Sequence, residues 1–248
     1  PSDEELAVDG DHRANVAVYR RFVDDYLSRR YGHIKRFLRS LGCRQMISAR
    51  SGFCGRDSSI SDRDFPVDPA SGAAHLDFTS LSGGGLQGSA SRFFEAGFIT
   101  AYARGVSDGK PVLWLGFGPP AGPNPQQPDF ENQARCASNM YEMMLRSDAA
   151  GGLSGPGSSG APDGGMDMGL RSPDGEWRPA GLACQQFAHR LRQARGSSAG
   201  WRGREMERDA DARGLSALWD QWRAVYQTET AEGRAEEIRP AGFGKLTS

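Results

Sequence analysis

The sequence predicts an α/β fold with parallel strands, and three observations carry that prediction. Short apolar runs alternate with longer stretches of helical period along most of the chain. Glycine is over-used, at 33 residues, and it concentrates at 83–88, 116–122 and 151–165, which therefore read as loops. The stretch "KPVLWLGFGPP", Lys110 to Pro120, reads as a buried strand running straight into such a loop. In parallel α/β folds the residue that ends a strand faces the ligand. Here that residue is Gly116, whose side chain can neither donate nor accept a proton.

The elements follow in order. From Asn15 to Leu41 the apolar residues Val16, Tyr19, Phe22, Val23, Tyr26, Ile34, Phe37, Leu38 and Leu41 recur at three and four, a long amphipathic helix ended by Gly42 at C′. Its arginines read as a solvated face, partly neutralised by Asp24 and Asp25. "RQMISA" is a short strand, Arg50 to about Ala73 a polar loop, and "HLDFTSL" a second strand. "SASRFFEAGFITAYARGV" is a helix with Phe93, Phe94, Phe98, Ile99 and Tyr102 in one stripe. "PVLWLGF" is the third strand, Phe130–Arg146 a helix, "AAGGLS" a glycine-diluted fourth strand and "PAGLACQQFAHRLRQA" a helix. Beyond Arg195 the chain turns polar and irregular before a last amphipathic helix, "LSALWDQWRAVYQTET". These breaks predict a domain over 1–195 and a helical extension over 196–248 that leads toward a further domain.

Composition narrows the function classes. A formal net charge of -1 gives no global reason to expect nucleic acid or an anionic membrane as partner. No apolar run approaches the ~18 residues of a membrane span. The acidic start "PSDEELAVDGD" is no signal peptide, and without an initiator Met it leads us to expect sequence upstream. The compartment stays open. Cys43, Cys54, Cys136 and Cys184 form no C-x-x-C pair, so neither zinc nor a disulfide framework is expected. No cofactor is predicted.

Two glycine fingerprints invite a nucleotide reading. Gly83-x-Gly85-x-x-Gly88 follows a strand and precedes a helix, as a pyrophosphate cradle would. That fold needs an acidic residue ending the next strand, yet that strand ends at Gly116, and Asp108 lies before it. Gly155-x-Gly157-x-x-Gly160 runs into "APDGGMDMG", which cannot start a helix. Nor does a Ser–His–Asp hydrolase fit. Ser80 and Ser82 end a strand, but His12, His33, His75 and His189 offer no triad partner in a suitable place.

Taken in order, the segments resemble the C-terminal half of a glycoside hydrolase of the two-carboxylate (β/α)₈-barrel clan, the cellulase and β-galactosidase-like enzymes. "YRRFVDDYLSRRYGHIKRFLRSLG" resembles the helix after barrel strand four, "QMISARSGF" strand five, "AAHLDFTSL" strand six and "KPVLWLGFG" strand seven. "AAGGLSGPGSSG" with "MDMGLRSPDGEWRPA" resembles strand eight and its substrate-side loop. The resemblance implies a partial TIM barrel of about strands five to eight, a carbohydrate substrate and hydrolysis of O-glycosidic bonds by two carboxylates.

It also implies what is missing. Strand seven of the clan ends on a nucleophilic Glu in a Trp-x-Glu-Phe-Gly context. Here Trp114-Leu115-Gly116-Phe117-Gly118 puts Gly116 in that place. The acid/base would follow strand four, but Asp3, Glu4, Glu5, Asp9 and Asp11 have no apolar strand before them. The isolated chain is therefore expected to be inactive, or to be a non-catalytic carbohydrate-binding or scaffold protein. An open barrel edge predicts self-association.

Four residues remain as site candidates. Gly116 marks the nucleophile's position. Arg50 either hydrogen-bonds sugar hydroxyls or pairs on the surface with Asp57 or Asp62. Trp114 either floors the site or belongs to the core. Asp167 either binds substrate from the strand-eight loop or caps that loop. Asp77 reads first as a structural carboxylate.

Overall fold

The computed structural model describes residues 8–51, 68–83, 90–117, 127–154, 169–194, 203–232 and 237–240. In chain order the described elements are α1 (Arg13–Ser40), β1 (Arg50–Ser51), α2 (Ala70–Ala73), β2 (Thr79–Ser82), α3 (Ala90–Val106), β3 (Val112–Leu115), α4 (Gln127–Arg146), β4 (Gly151–Leu153), α5 (Pro179–Gln193), β5 (Gly203–Met206), α6 (Leu215–Ala231) and β6 (Glu237–Pro240), with a 3₁₀ turn at Arg208–Ala210.

The strands β1 to β4 form one sheet in the order β1-β2-β3-β4, and every neighbouring pair is parallel. Among the described strands of this sheet, order equals chain order and does not reverse. A dinucleotide fold binds at such a reversal, so this topology supplies no switch point for the glycine fingerprint at Gly83. Gly83 has a packing role instead: a Cβ there would sit 2.6 Å from the Cβ of Phe117, so only glycine lets the ends of β2 and β3 approach this closely.

One face of the sheet carries the core. Register places Trp114 between Leu81 and Gly152. Leu81 and Trp114 are buried, and the Trp114 indole N–H donates to Thr100 Oγ1 on α3 at 2.9 Å. A Cβ at Gly152 would run into Met144 of α4. The helices α3 and α4 thus cover this face, where Phe93, Phe98, Ile99, Tyr102, Met140 and Met144 pack. The opposite face carries Ser48, Arg50, Ser80, Ser82, Leu113, Leu115 and Leu153, and Leu153 is 61% exposed.

Several boundaries differ from the sequence expectation. "RQMISA" is not in the ladder. The strand is Arg50–Ser51, because the Ile47 carbonyl and N–H are engaged by Asp77 instead. The second strand begins at Thr79, four residues later than expected, for the same reason. The polar stretch beyond Arg195 contains β5, which pairs parallel with β6. The end of α1 is as expected: Gly42 has φ +86, Cys43 N–H donates to the Leu38 carbonyl and Gly42 N–H to that of Arg39.

The helix α1 departs most. Its buried residues are Arg20, Asp24, Ser28 and Gly32, a polar and small stripe at intervals of four. The expected solvated face is therefore partly the buried one. Arg208, fully buried at its side chain, lies at the centre of the contact. It meets Asp24 at 2.9 Å and Asp209 at 3.1 Å, and donates to Asp68, which also accepts from the Tyr102 hydroxyl at 2.8 Å. Arg20 and Arg21 reach Asp209 at 3.1 and 2.7 Å, and Arg20 also donates to the Ala212 carbonyl. One guanidinium thus ties the C-terminal segment to α1, to the residue leading into α2 and to α3.

These groups titrate abnormally. Burial, then the neighbouring Asp68, pushes the Asp24 carboxyl up to about 7 despite Arg208. For Asp209 burial works upward, but Arg208, Arg21 and Arg20 outweigh it and hold the carboxyl below its usual range. The helix α6 packs against α3 in the same core. Phe98 and Trp219 lie 5.2 Å apart, and a Cβ at Gly97 would strike the hydroxyl of buried Tyr226.

Removing Arg208 leaves the buried Asp68 and Asp24 without the guanidinium they face, so Arg208→Met is expected to cost about 3–5 kcal/mol by urea denaturation. Asp24 is raised in the folded state. Its contribution is fully present below the unfolded value of 3.8 and is lost as pH rises through about 7. We expect Asp24→Asn to match or exceed the parent's melting temperature at pH 8, and to flatten the parent's decline between pH 5 and 8. Gly97→Ala gains about 1 kcal/mol of helix propensity but overpacks at about 1–3 kcal/mol. It should destabilise the protein, and Tyr226→Phe in the double variant should recover only part of the loss, because the ring carbon Cζ, 2.8 Å from the added Cβ, remains.

Candidate functional site

Parallel pairing brings the C-terminal ends of β1, β2, β3 and β4 to one edge, the edge at which barrel folds assemble their sites. Arg50 stands at the centre of what is described there. It is exposed, and its Nη2 donates to Ser82 Oγ at 2.7 Å. Among the described residues Ser82 is its hydrogen-bond partner. Asp57 and Asp62, the alternative partners, lie outside the described residues.

Gly116 follows directly on β3. Its N–H donates to the Leu153 carbonyl at 2.8 Å, and the Leu115 carbonyl accepts from Gly83 at 2.9 Å, so both neighbouring strands hold its backbone. Its φ is +61. That left-handed turn breaks the strand alternation that would otherwise aim residue 116, like Trp114, at the helix layer. A Cβ at Gly116 points instead toward Arg50, 3.2 Å from Nη2. The strand ends thus bring together Gly116, Arg50 and Ser82, and any side chain at 116 would meet a guanidinium.

The other candidates fall elsewhere. Trp114 is 1% exposed and faces α3, so it takes the core position rather than the floor of the edge. Asp167 lies outside the described residues, as do Gly84, Gly85, Gly88 and the fingerprint at Gly155. Asp77 precedes β2, at the opposite end of the sheet, where it binds Lys35, Arg39 and the Ile47 N–H. Those contacts hold its carboxyl below the usual range and make it structural. Ser80 shares a hydrogen bond of 2.7 Å with Ser48 on the open face. His75 rests at that far end against Gly32. Burial, with Arg36, Lys35 and Lys110 nearby, lowers its basicity. It is no partner for Ser80 or Ser82.

Sequence reasoning weighed Ser82 only as a nucleophile and missed it as the hydroxyl that orients Arg50. Arg50 lies in β1 and Ser82 ends β2, and the signal available was that consecutive parallel strands become neighbours. Chemically, the described edge offers a guanidinium, hydroxyls and backbone groups, which suit recognition of hydroxyls or an anion. Among the described residues no group of three or more His, Cys, Asp or Glu side chains forms a metal site, and no helix is long and apolar enough to cross a membrane.

No protein-family model matches the chain, and no curated protein matches it. Solved structures do. A Glu-to-Ala variant of GH5_18 from Streptomyces cattleya in complex with Manb1-4GlcNAc is similar over 80% of this chain and 51% of its own, at 17% identity and TM-score 0.53. GH5_18 from the same organism in complex with GlcNAc (19% identity, 74% and 48% covered) has a TM-score of 0.48. A variant from Bifidobacterium longum subsp. longum, with Manb1-4GlcNAc (17% identity, 81% and 56% covered), has one of 0.46. The chain spans about half the length of these structures. The likeness to the first of these shows the fold alone: part of a TIM barrel, here with a helical C-terminal part.

The left-handed backbone at 116 has a measurable consequence. Gly116→Ala is expected to cost about 1–2 kcal/mol in backbone strain, read as a lower midpoint in urea. The contact with Arg50 adds little, because it involves the end of a flexible side chain.

Proposed function

We propose that this chain is the C-terminal half of a carbohydrate-active (β/α)₈ barrel, spanning residues 1–195, with 196–248 leading toward a further domain. Its sugar-facing end is the edge formed by Arg50, Ser82 and Gly116. The observation that carries the reading is the direction of position 116. In the clan this chain resembles, the residue there is a nucleophilic Glu, and here the open position faces the Arg50 guanidinium. A carboxylate at that point would be held ionised by the charge opposite it, as a nucleophile requires.

Glycine removes that carboxylate, and no acid/base partner stands at this edge among the described residues. Hydrolysis by two carboxylates needs both: one to attack the anomeric carbon and one to protonate the leaving oxygen. The chain by itself therefore binds without turning over. The arrangement equally supports the second reading, a non-catalytic carbohydrate-binding protein, since Arg50 and Ser82 retain donors suited to sugar hydroxyls.

The test uses Manβ1-4GlcNAc, the ligand carried by two of the similar structures. Calorimetry and product analysis on the chain should give no cleavage. Saturable binding that weakens about tenfold in Arg50→Ala, corresponding to roughly 1.4 kcal/mol, supports the sugar-facing edge. Turnover by the unmodified chain overturns the inactivity, and binding unaffected by Arg50→Ala overturns the placement.

A further inference from the structure

The charges that position this fold are neutralised at close range. Lys35 and Arg39 share Asp77, Arg104 meets Asp148 at 3.1 Å, and Arg208 lies among three carboxylates. Arg50 is different. It is exposed, and among the described residues its partner is the neutral hydroxyl of Ser82, with no carboxylate paired to it. The residues described beside it at the strand ends, Ser82, Gly83, Gly116, Phe117, Leu153 and Ser154, include no acid. Asp77 stands at the far end of the sheet, already bound by Lys35 and Arg39.

The space in front of this guanidinium admits a ligand group at hydrogen-bonding range. A carbon at the Cβ position of residue 116 would lie 3.2 Å from Arg50 Nη2, and among the described residues that nitrogen is its one neighbour within 4 Å beyond the adjoining residues. An oxygen placed there is within hydrogen-bond distance of Nη2. Ser82 Oγ accepts one N–H of Nη2 at 2.7 Å and so limits rotation of the guanidinium, whose other N–H groups form a planar fork. Such a fork matches a carboxylate bidentately, with bonds about twice as strong as those to a neutral oxygen. A sugar hydroxyl would engage one donor and leave the charge uncompensated. We propose, resting on the sugar-facing reading above, that the group bound in this space is a carboxylate, so that the edge selects an acidic sugar, a uronic acid residue, over its neutral counterpart. The charge of the ligand takes the place of a side-chain acid that glycine does not supply.

The test compares Manβ1-4GlcNAc with the same disaccharide oxidised at mannose C6, a pair that differs by one carboxylate, and adds sodium acetate as a free carboxylate. By calorimetry at low salt the acidic disaccharide should bind about tenfold more tightly than the neutral one, as a hydrogen-bonded charge pair provides. The ratio should shrink toward one at about 1 M salt, where the Debye length is about 3 Å. Arg50→Gln, which keeps amide donors without the charge, should bring the ratio close to one. Gly116→Asp supplies the acid from within and should abolish the preference, whereas Gly116→Asn, of the same size and equally tolerant of positive φ, should retain it. Equal affinity for the two disaccharides overturns the inference and leaves the sugar-facing reading standing. A preference that survives Arg50→Gln also overturns it, because the carboxylate is then bound elsewhere. Acetate that binds as tightly as the acidic disaccharide supports the carboxylate site and overturns the sugar-facing reading instead. No binding of any of the three overturns both.

Discussion

The structure turns on one buried cation. Arg208 comes from a segment well past Leu153, where the last strand of the main sheet ends, yet its guanidinium sits among Asp24, Asp68 and Asp209. A buried guanidinium without partners is prohibitively costly, and so is each of these carboxylates without the guanidinium. The segments carrying them therefore have to assemble together. The Tyr102 hydroxyl extends the cluster to α3, whose other side supports Trp114 and hence β3. The strand end that carries Gly116 is positioned, at several removes, by that charge.

The same cluster explains the orientation of α1. A helix placed by hydrophobicity alone would turn Phe22, Tyr26 and Phe37 inward. Here Asp24 and Arg20 are the groups that Arg208 and Asp209 require, and Gly32 lets the His75 ring lie against the helix. The two faces of α1 thus serve different purposes: the polar one satisfies buried charges, and the apolar one is left outward.

At the edge of the sheet, glycine has two distinct meanings that composition alone could not separate. At Gly83 and Gly152 the absence of a Cβ is a packing condition, met by Phe117 and Met144. At Gly116 the neighbour is the end of a flexible arginine, so the space is open and the constraint is the positive φ. Of these three described glycines, Gly116 alone leaves room beside a charged side chain at the strand ends.

The sequence by itself determined the alternation of strands and helices, the α/β class, the end of α1 at Gly42 and the core stripe of α3. These follow from local periodicity and capping, which neighbouring residues encode. It also singled out Gly116, through the order of segments rather than through any one motif. Only the tertiary structure decided that Trp114 belongs to the core, that Asp77 holds the far end of the sheet, and that Arg20 and Asp24 are buried. Each of those outcomes depends on a partner distant in sequence: Thr100, Lys35 with Arg39, and Asp209 with Arg208. Charge pairing across such separations leaves no period in the chain, so a buried arginine and a solvated one look alike until the elements that enclose them are in place.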